Sequence, residues 1–422
     1  MEYKLYNNKI KIHTIRSNKF KNCILEIMFT NKVAKDKKTI NTLLDDLLVY
    51  SSKKYKSRRE LNIECENLYN ASVRCWNTRI GGSLITHMNL DFLNPKYCEE
   101  GYLEEVIKLP FELLLNPNIN NGMFEEKSYT IVENRLRAYL ESDKDHATSY
   151  ALDRSLECMD ENSLSSIRPC GKLEDLDKIK NEDVVAEYKR LLNSSCEIYV
   201  LGNMDMDEVV KLIEKNFNLN DDSNYEGSYY VDNKTKDKVL EVNESGRYEQ
   251  STLIMINNID DIIERERNIT YKLFNYIFGS GGLTSKLYKY IREDNSLCYA
   301  LSSSYYRNDN LLVIYAGINS KDKDKCMELV KKALNEMING DFSDEELKDA
   351  KKNIETMIRS SEDSLYGIIG NYYSHITQNT PLIEEQIKEV NSVTKEEIKE
   401  LAKKVKLNTV FLLVGEDEKW KK

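Results

Sequence analysis

Histidine is nearly absent from this chain: 422 residues hold four, at His13, His87, His146 and His375. Imidazoles that bind catalytic metals or move protons near neutral pH are therefore scarce. Cysteine is present but unpatterned. Nine are scattered singly with no Cys-x-x-Cys pair, which argues against a zinc ribbon or a disulfide frame and for reduced thiols in a cytosol. No apolar run approaches the roughly 18 residues of a membrane helix; the richest, Val106 to Leu115, is interrupted by Lys108, Pro110 and Glu112. The N-terminal residues Met1-Glu-Tyr-Lys-Leu-Tyr6 are charged and lack the apolar centre of a secretory signal. Positive charge is in deficit, with 61 Lys+Arg against 71 Asp+Glu and a net charge of −10. That balance disfavours a nucleic-acid binder and an anionic membrane surface as partners.

What is there is globular. Hydrophobic residues make up 41% of the chain and aromatics 9%, enough for real cores. Single cores stop growing at roughly 250–300 residues, so at least two lobes are expected. The 27 tyrosines are scattered, which suits core edges better than a base-stacking platform.

Short Ile- and Thr-rich stretches at Lys9–Ile15 and Cys23–Thr30 predict strands. Lys38–Tyr50 predicts a helix with Ile40, Leu43, Leu44, Leu47 and Leu48 on one stripe. A second helix follows at Arg58–Tyr69, then a strand pair, Ala71–Arg79 and Ser83–Phe92, around Gly81-Gly82. Long helical stretches cover Glu100–Leu115 and Phe124–Cys158. A helix at Asn181–Leu192 leads to a strand, Cys196–Leu201, ending at Gly202. The second half repeats this plan: a strand at Ser251–Ile256, a helix at Glu264–Phe278, strands at Leu297–Tyr306 and Asn310–Gly317, helices at Lys321–Ile338 and Asp344–Ile376, and Val410–Val414 ending at Gly415. Two echoes stand in the same order. Gly202 and Gly415 close matching helix–loop–strand units, and Phe124 and Phe342 each open a long charged helix. They predict a duplicated α+β fold of two homologous lobes, each a mixed β-sheet covered by helices on one face. The lobes are expected at 1–218 and 239–422. The polar stretch 219–238, with Asp221-Asp-Ser-Asn224 and Lys234-Thr-Lys236, would link them.

One motif stands out in the second half. Gly279-Ser-Gly-Gly282 precedes Leu283-Thr-Ser-Lys-Leu287, Tyr288-Lys-Tyr-Ile-Arg292-Glu293 and Ser296-Leu-Cys-Tyr299-Ala300. The glycines allow a close turn between packed elements. Arg292 falls near a helix C-terminus and Tyr299 on the following strand. In a cleft, a guanidinium and a phenol can hold a peptide carbonyl and a developing oxyanion; equally, Arg292 could cap helix carbonyls and Tyr299 could be a core residue. With the order of elements along nearly the whole chain, this segment resembles the insulinase/pitrilysin family of inverted zinc metallopeptidases. That family's second lobe has a glycine-rich turn, a short helix, an Arg and a Tyr seven residues later.

The resemblance also locates what is missing. Active members carry His-x-x-Glu-His on a first-lobe helix, two imidazoles on one face holding zinc with the Glu as base, plus a distant Glu as third ligand. Here that helix reads Thr42-Leu-Leu-Asp45-Asp46. Thr42 and Asp46 replace both histidines and Asp45 stands at the base position. Glu126 and Glu133, seven apart on one helical face, match the distant acids; a solvated helix face is their plain alternative. Thr42, Asp46 and Glu133 would make a hard oxygen site, poor for zinc. The resemblance therefore implies no metal on this chain and zinc on a partner: a heterodimer with a zinc-bearing insulinase-like subunit, or alternatively a homodimer with a divergent metal site. Arg292 and Tyr299 would complement the partner's catalytic centre and bind a small peptide substrate. A catalytically inactive peptide-binding or scaffold protein of the same fold is the competing expectation. His146 sits in a charged stretch, His87 in a strand, and Cys298 reads as a small core residue.

Overall fold

The structure, a computed structural model, describes residues 2–7, 10–217, 223 and 225–416. Its strands are β1 (Glu2–Asn7), β2 (Lys11–Arg16), β3 (Asn22–Lys32), β4 (Ser72–Ile80), β5 (Ser83–Leu93), β6 (Ile119–Asn120), β7 (Met123–Phe124), β8 (Ser195–Gly202), β9 (Leu240–Ser245), β10 (Ser251–Ile259), β11 (Cys298–Tyr306), β12 (Leu311–Ile318) and β13 (Val405–Val414).

The first sheet runs β1-β2-β8-β3-β5-β4 and the second β11-β12-β10-β13-β9. Pair by pair they match. β8 lies antiparallel to β3 and parallel to β2, as β13 lies antiparallel to β10 and parallel to β9. The hairpins β4–β5 and β11–β12 complete each sheet in antiparallel register. Each sheet is thus mixed. The expected strands at Cys196–Leu201 and Val410–Val414 hold equivalent places, and β1 is an addition at one edge.

The main helical layer covers one face of each sheet because one stripe of each helix is apolar. In the helix Lys38–Leu48, Ile40, Leu43, Leu44, Leu47 and Leu48 are all buried. They pack in a core with Leu25, Ile27, Met88, Leu90, Ile198 and Val200 from alternate strand positions. In the second unit Leu253, Met255, Leu312, Ile314, Val410 and Leu412 meet Leu273, Phe274, Ile277, Leu329, Leu401 and their neighbours. Ser343 and Thr394 close capping boxes with Glu346 and Glu397 and fix two helix starts.

Two expectations need correction. The stretches Phe124–Cys158 and Asp344–Ile376 are each two helices. Glu126–Glu141 breaks over Ser142–Asp145 before Ala147–Met159, and Asp344–Ser360 breaks over Ser361–Asp363 before Leu365–Gln378. The charged insert Asp143-Lys-Asp-His146 cannot continue an apolar stripe. The partition of the chain also differs from the expected one. One compact unit comprises 1–142 and 168–228, the other 143–167 and 229–422. The helix Ala147–Met159 therefore belongs to the second unit. Its Ala151 and Met159 cover Ile254, Ile256, Leu311, Val313, Phe411 and Leu413 on the sheet face opposite the main helical layer. Of the expected linker, 219–222 and 224 lie outside the described residues. The backbone of Ser228 pairs with Gly82 in the first unit, and Asn233 bonds Ser165 and Asp309 in the second.

Candidate functional site

The segment from Gly279 to Tyr299 is built by close approach. A side chain at Gly279 would put Cβ 2.6 Å from Ser303 Cβ and 2.7 Å from Leu287 Cδ1, so only glycine lets this helix end lie against β11. Asn275 secures the contact: its Nδ2 donates to Ser303 O at 3.1 Å and its Oδ1 accepts from Ser303 Oγ at 2.5 Å. Gly282, with φ +63°, turns the chain into the next helix. There Leu287 and Ile291 are buried, and Lys286 Nζ reaches Glu336 at 2.9 Å and Asp341 O at 2.6 Å. The helix ends in a π-helical turn, Tyr288–Glu293, which carries Arg292 on its last residues.

Ser296, at φ +51°, then reverses the chain into β11. That strand starts with a bulge: Cys298 opposes Ile318 and Leu301 opposes Ala316, so three steps on β11 match two on β12. A bulge re-aims a side chain. Cys298 and Leu301 both face the core, burial pushing the Cys298 thiol up to about 11, while Tyr299 is 81% exposed. The Arg292 guanidinium carbon lies 5.0 Å from the centre of the Tyr299 ring and 5.5 Å from that of Tyr288, within cation–π range. Its nearest carboxylate is Glu293 at 4.0 Å. Tyr299 is thus no core residue and Arg292 is turned to two aromatic faces. The structure brings a guanidinium and a phenol together with donor capacity facing outward.

The positions matching the metal motif are engaged elsewhere. Thr42 Oγ1 donates to Lys38 O at 3.1 Å. Asp45 is buried; it accepts from Asn77 Nδ2 and, at 3.7 Å, from Cys75 Sγ. Lys38, also buried, donates from Nζ to Asn77 Oδ1. The Asn77 amide therefore bridges a buried ammonium and a buried carboxylate. Burial raises Asp45 above the usual carboxylate range and lowers Lys38, the charge of each partner opposing the shift. Asp46 is half-buried and raised by burial, with Arg135 and Arg58 working against it. Glu133 pairs with Arg137 at 2.6 Å, and Arg137 with Asp177 at 2.6 Å; Glu126 is exposed. Among the described residues no group of three or more His, Cys, Asp or Glu is placed to hold a metal ion. These residues do not fit zinc: no imidazole is offered, and Asp45 and Glu133 are committed to an amide and a guanidinium.

Lys38 escaped the reading of the sequence, although it lies seven residues before Asp45 and so on the same helical face. His87 and His375 have polar partners of their own. His87 Nδ1 meets Glu26 at 2.8 Å with Trp76 stacked on its ring, His375 Nδ1 meets Thr380 O at 2.9 Å, and His146 is exposed.

The family model described as "Peptidase M16 inactive domain" matches residues 178–354. A Bacillus subtilis (strain 168) protein named "Probable inactive metalloprotease YmfF" is 24% identical over 433 residues, covering 98% of both chains. Among solved structures, a conserved protein from Enterococcus faecalis V583 superposes with a TM-score of 0.90 at 24% identity, over 99% of each chain. A chain of Complex III2 from Candida albicans superposes at 0.73 with 14% identity, over 99% of this chain and 96% of that one. The chain is thus similar to proteins named as inactive relatives of the M16 peptidases: one along its whole length, and the inactive-domain model over residues 178–354.

Proposed function

We propose that this chain is the zinc-less subunit of a two-chain insulinase-like peptidase, which lends Arg292 and Tyr299 to the metal centre of a partner carrying His-x-x-Glu-His. The observation that carries this reading is the exposure of Tyr299 on a bulge beside Arg292. An 81% exposed tyrosine held against a guanidinium whose ion pair, with Glu293, is a long 4.0 Å serves no packing purpose of this chain. Arg292 would hold a substrate carbonyl, and the Tyr299 hydroxyl would donate to the oxygen that gains charge in the transition state. The metal chemistry would belong to the partner. A small peptide is the substrate class, because the resemblance implies a closed chamber that excludes folded proteins. The nine cysteines, all free, suit a cytoplasmic setting.

The test is steady-state kinetics of the pair reconstituted with the His-x-x-Glu-His chain of the same cell. Tyr299→Phe should leave assembly intact and lower turnover by about 10²–10³, the usual cost of one oxyanion donor. Arg292→Ala should act more on KM, since a guanidinium holds substrate in ground and transition states alike. Glu133→Gln should change activity little. If Tyr299→Phe and Arg292→Ala pairs assemble and run at the wild-type rate, the complementing role is wrong.

A scaffold reading is favoured by a different observation: Asp45, at the base position, is tied into a buried Lys38–Asn77–Asp45 bridge. On that reading no partner would gain turnover from this chain, and wild-type and Tyr299→Phe proteins would be indistinguishable in every complex they enter.

A further inference from the structure

The second unit holds a cavity of about 610 Å³ away from Arg292 and Tyr299, between the helical turn at Glu264–Asn268 and the helix Ile383–Ser392. One residue of its lining is unlike the rest. Asn268 is only 3% exposed, and it sits in a π-helical turn, Glu266–Thr270, a departure from regular helix that recurs at binding sites. Its Nδ2 donates to Asn379 O at 3.5 Å, but its Oδ1 accepts nothing. A buried carbonyl oxygen without a donor carries a desolvation penalty that a ligand N–H would relieve.

The charges around the opening say what kind of ligand. Arg265 is neutralised within the wall, by Glu397 at 2.9 Å and Glu389 at 3.1 Å, with Ser392 Oγ at 3.0 Å. Glu264 and Glu385, which line the cavity from its two helical sides, are exposed and have no ion-pair partner among the described residues. Lys388 also lines it, so the charged residues of the lining, Glu264, Arg265, Glu385, Lys388 and Glu389, leave a single negative charge in excess. Pro381 supplies apolar surface.

We propose that this cavity binds a protonated amine or guanidinium at the end of an alkyl stem, with one N–H donated to Asn268 Oδ1 and the charge balanced by Glu264 and Glu385. Lys388 repels a second positive charge. The arrangement therefore favours one basic side chain of a peptide over a polyamine. It is a recognition site for a lysine or arginine side chain, and it stands whether or not the chain completes a partner's active centre.

The test uses the full chain, with neither partner nor turnover. Three probes are titrated by calorimetry and thermal shift: a blocked acetyl-Gly-Lys-Gly-amide peptide, the same peptide acetylated on the lysine Nζ, and spermidine. The lysine peptide should bind and raise the Tm, and the acetylated one should bind at least about tenfold more weakly, since hydrogen bonds to charged groups are the strong ones. Asn268→Leu removes the orphaned oxygen. It should raise the ligand-free Tm and weaken the lysine peptide about tenfold, a pairing of effects that mere structural damage would not give. Glu385→Gln, at an exposed site, should weaken binding without moving the ligand-free Tm, and it carries the test if Asn268→Leu does not fold. Equal binding of the two peptides, absence of binding at millimolar peptide, or unchanged affinity in Asn268→Leu and Glu385→Gln would each overturn the site. Tighter binding of spermidine than of the lysine peptide would overturn the single-cation assignment.

Discussion

Lys38 and Asp45 form a closed, buried link on the helix Lys38–Leu48. Both are about 3% exposed, with Asn77 between them. Removing one member of such a pair leaves the other charge buried, which typically costs about 3–5 kcal/mol. Lys38→Met should therefore destabilise the chain most at pH 8 and above, where the lone carboxyl is forced to ionise, read as the shift in the urea midpoint. Burial already raises Asp45, and without Lys38 it rises further. A group that binds more protons folded than unfolded loses stability as pH rises through its folded value. The cost of Lys38→Met should thus shrink as pH is lowered from 8 to 5, where the lone carboxyl can take up a proton. A cost that stays flat over that range would show that Asp45 remains ionised without its ammonium. The sequence exposed half of this link. Thr42, Asp45 and Asp46 could be placed on a helix by periodicity, and the loss of both imidazoles could be stated. Asn77 could not be found, because strand register rather than helical spacing brings it across, and one amide carries no sequence signature.

At the scale of elements, strands that alternate or run apolar were legible and those at a polar edge were not. The hairpin β4–β5 was readable around Gly81-Gly82, but β9, Leu-Glu-Val-Asn-Glu-Ser, exposes every second residue and takes its place in the sheet by parallel pairing with β13. The bulge that turns Tyr299 outward was equally hidden, since Leu297–Tyr306 reads as one strand with no glycine to mark the irregularity. The helix breaks at Ser142–Asp145 and Ser361–Asp363 did have a signal, charged inserts without apolar residues, which the strong periodicity on either side masked. Element pairing also sets an acid-stability prediction. Glu197 of β8 is held by three groups: Lys11 Nζ at 3.0 Å, Tyr199 Oη at 2.8 Å, and His13 Nε2 at 3.5 Å. Burial alone would raise its pKa, but the nearby His13 ring and the hydrogen bonds from Tyr199 and Lys11 outweigh it and bring the carboxyl down to about 2. Its folded value thus lies below the unfolded one. The stabilisation is complete above about pH 4.5 and drains away as pH falls toward 2. Glu197→Gln should cost about 2–3 kcal/mol at pH 7. The difference from wild type should close steadily below pH 4.5 in denaturant titrations. Parallel acid profiles for the two proteins would contradict the assignment.

At the scale of the whole molecule, the duplication was legible because both halves carry the same helix–loop–strand unit, at Gly202 and Gly415, and the sheets repeat apart from the added β1. The division of the chain was not, because no local pattern tells which sheet an amphipathic helix will cover. Residues 143–167 precede the last strand of the first sheet, yet they fold with the second unit. There the helix Ala147–Met159 covers Ile254, Ile256, Leu311, Val313, Phe411 and Leu413. It also brings Arg154 to Glu244 of β9 at 2.5 Å. Burying a large aliphatic or aromatic side chain is worth about 1.5–3 kcal/mol. Uncovering six of them approaches or exceeds the roughly 5–15 kcal/mol by which a whole domain is stable. A fragment of residues 229–422 should therefore fail to fold cooperatively, bind a hydrophobic dye such as ANS, and aggregate at micromolar concentration. Joining residues 143–167 to the front of 229–422 through a flexible Gly/Ser linker should restore a single sharp unfolding transition and abolish dye binding. In that fusion Arg154→Ala should lower the midpoint only modestly, because the apolar cover does most of the stabilising and ion pairs of this exposure contribute little. Cooperative, dye-silent unfolding of 229–422 alone would mean that the sheet face tolerates solvent and that the helix is a passenger rather than part of the core.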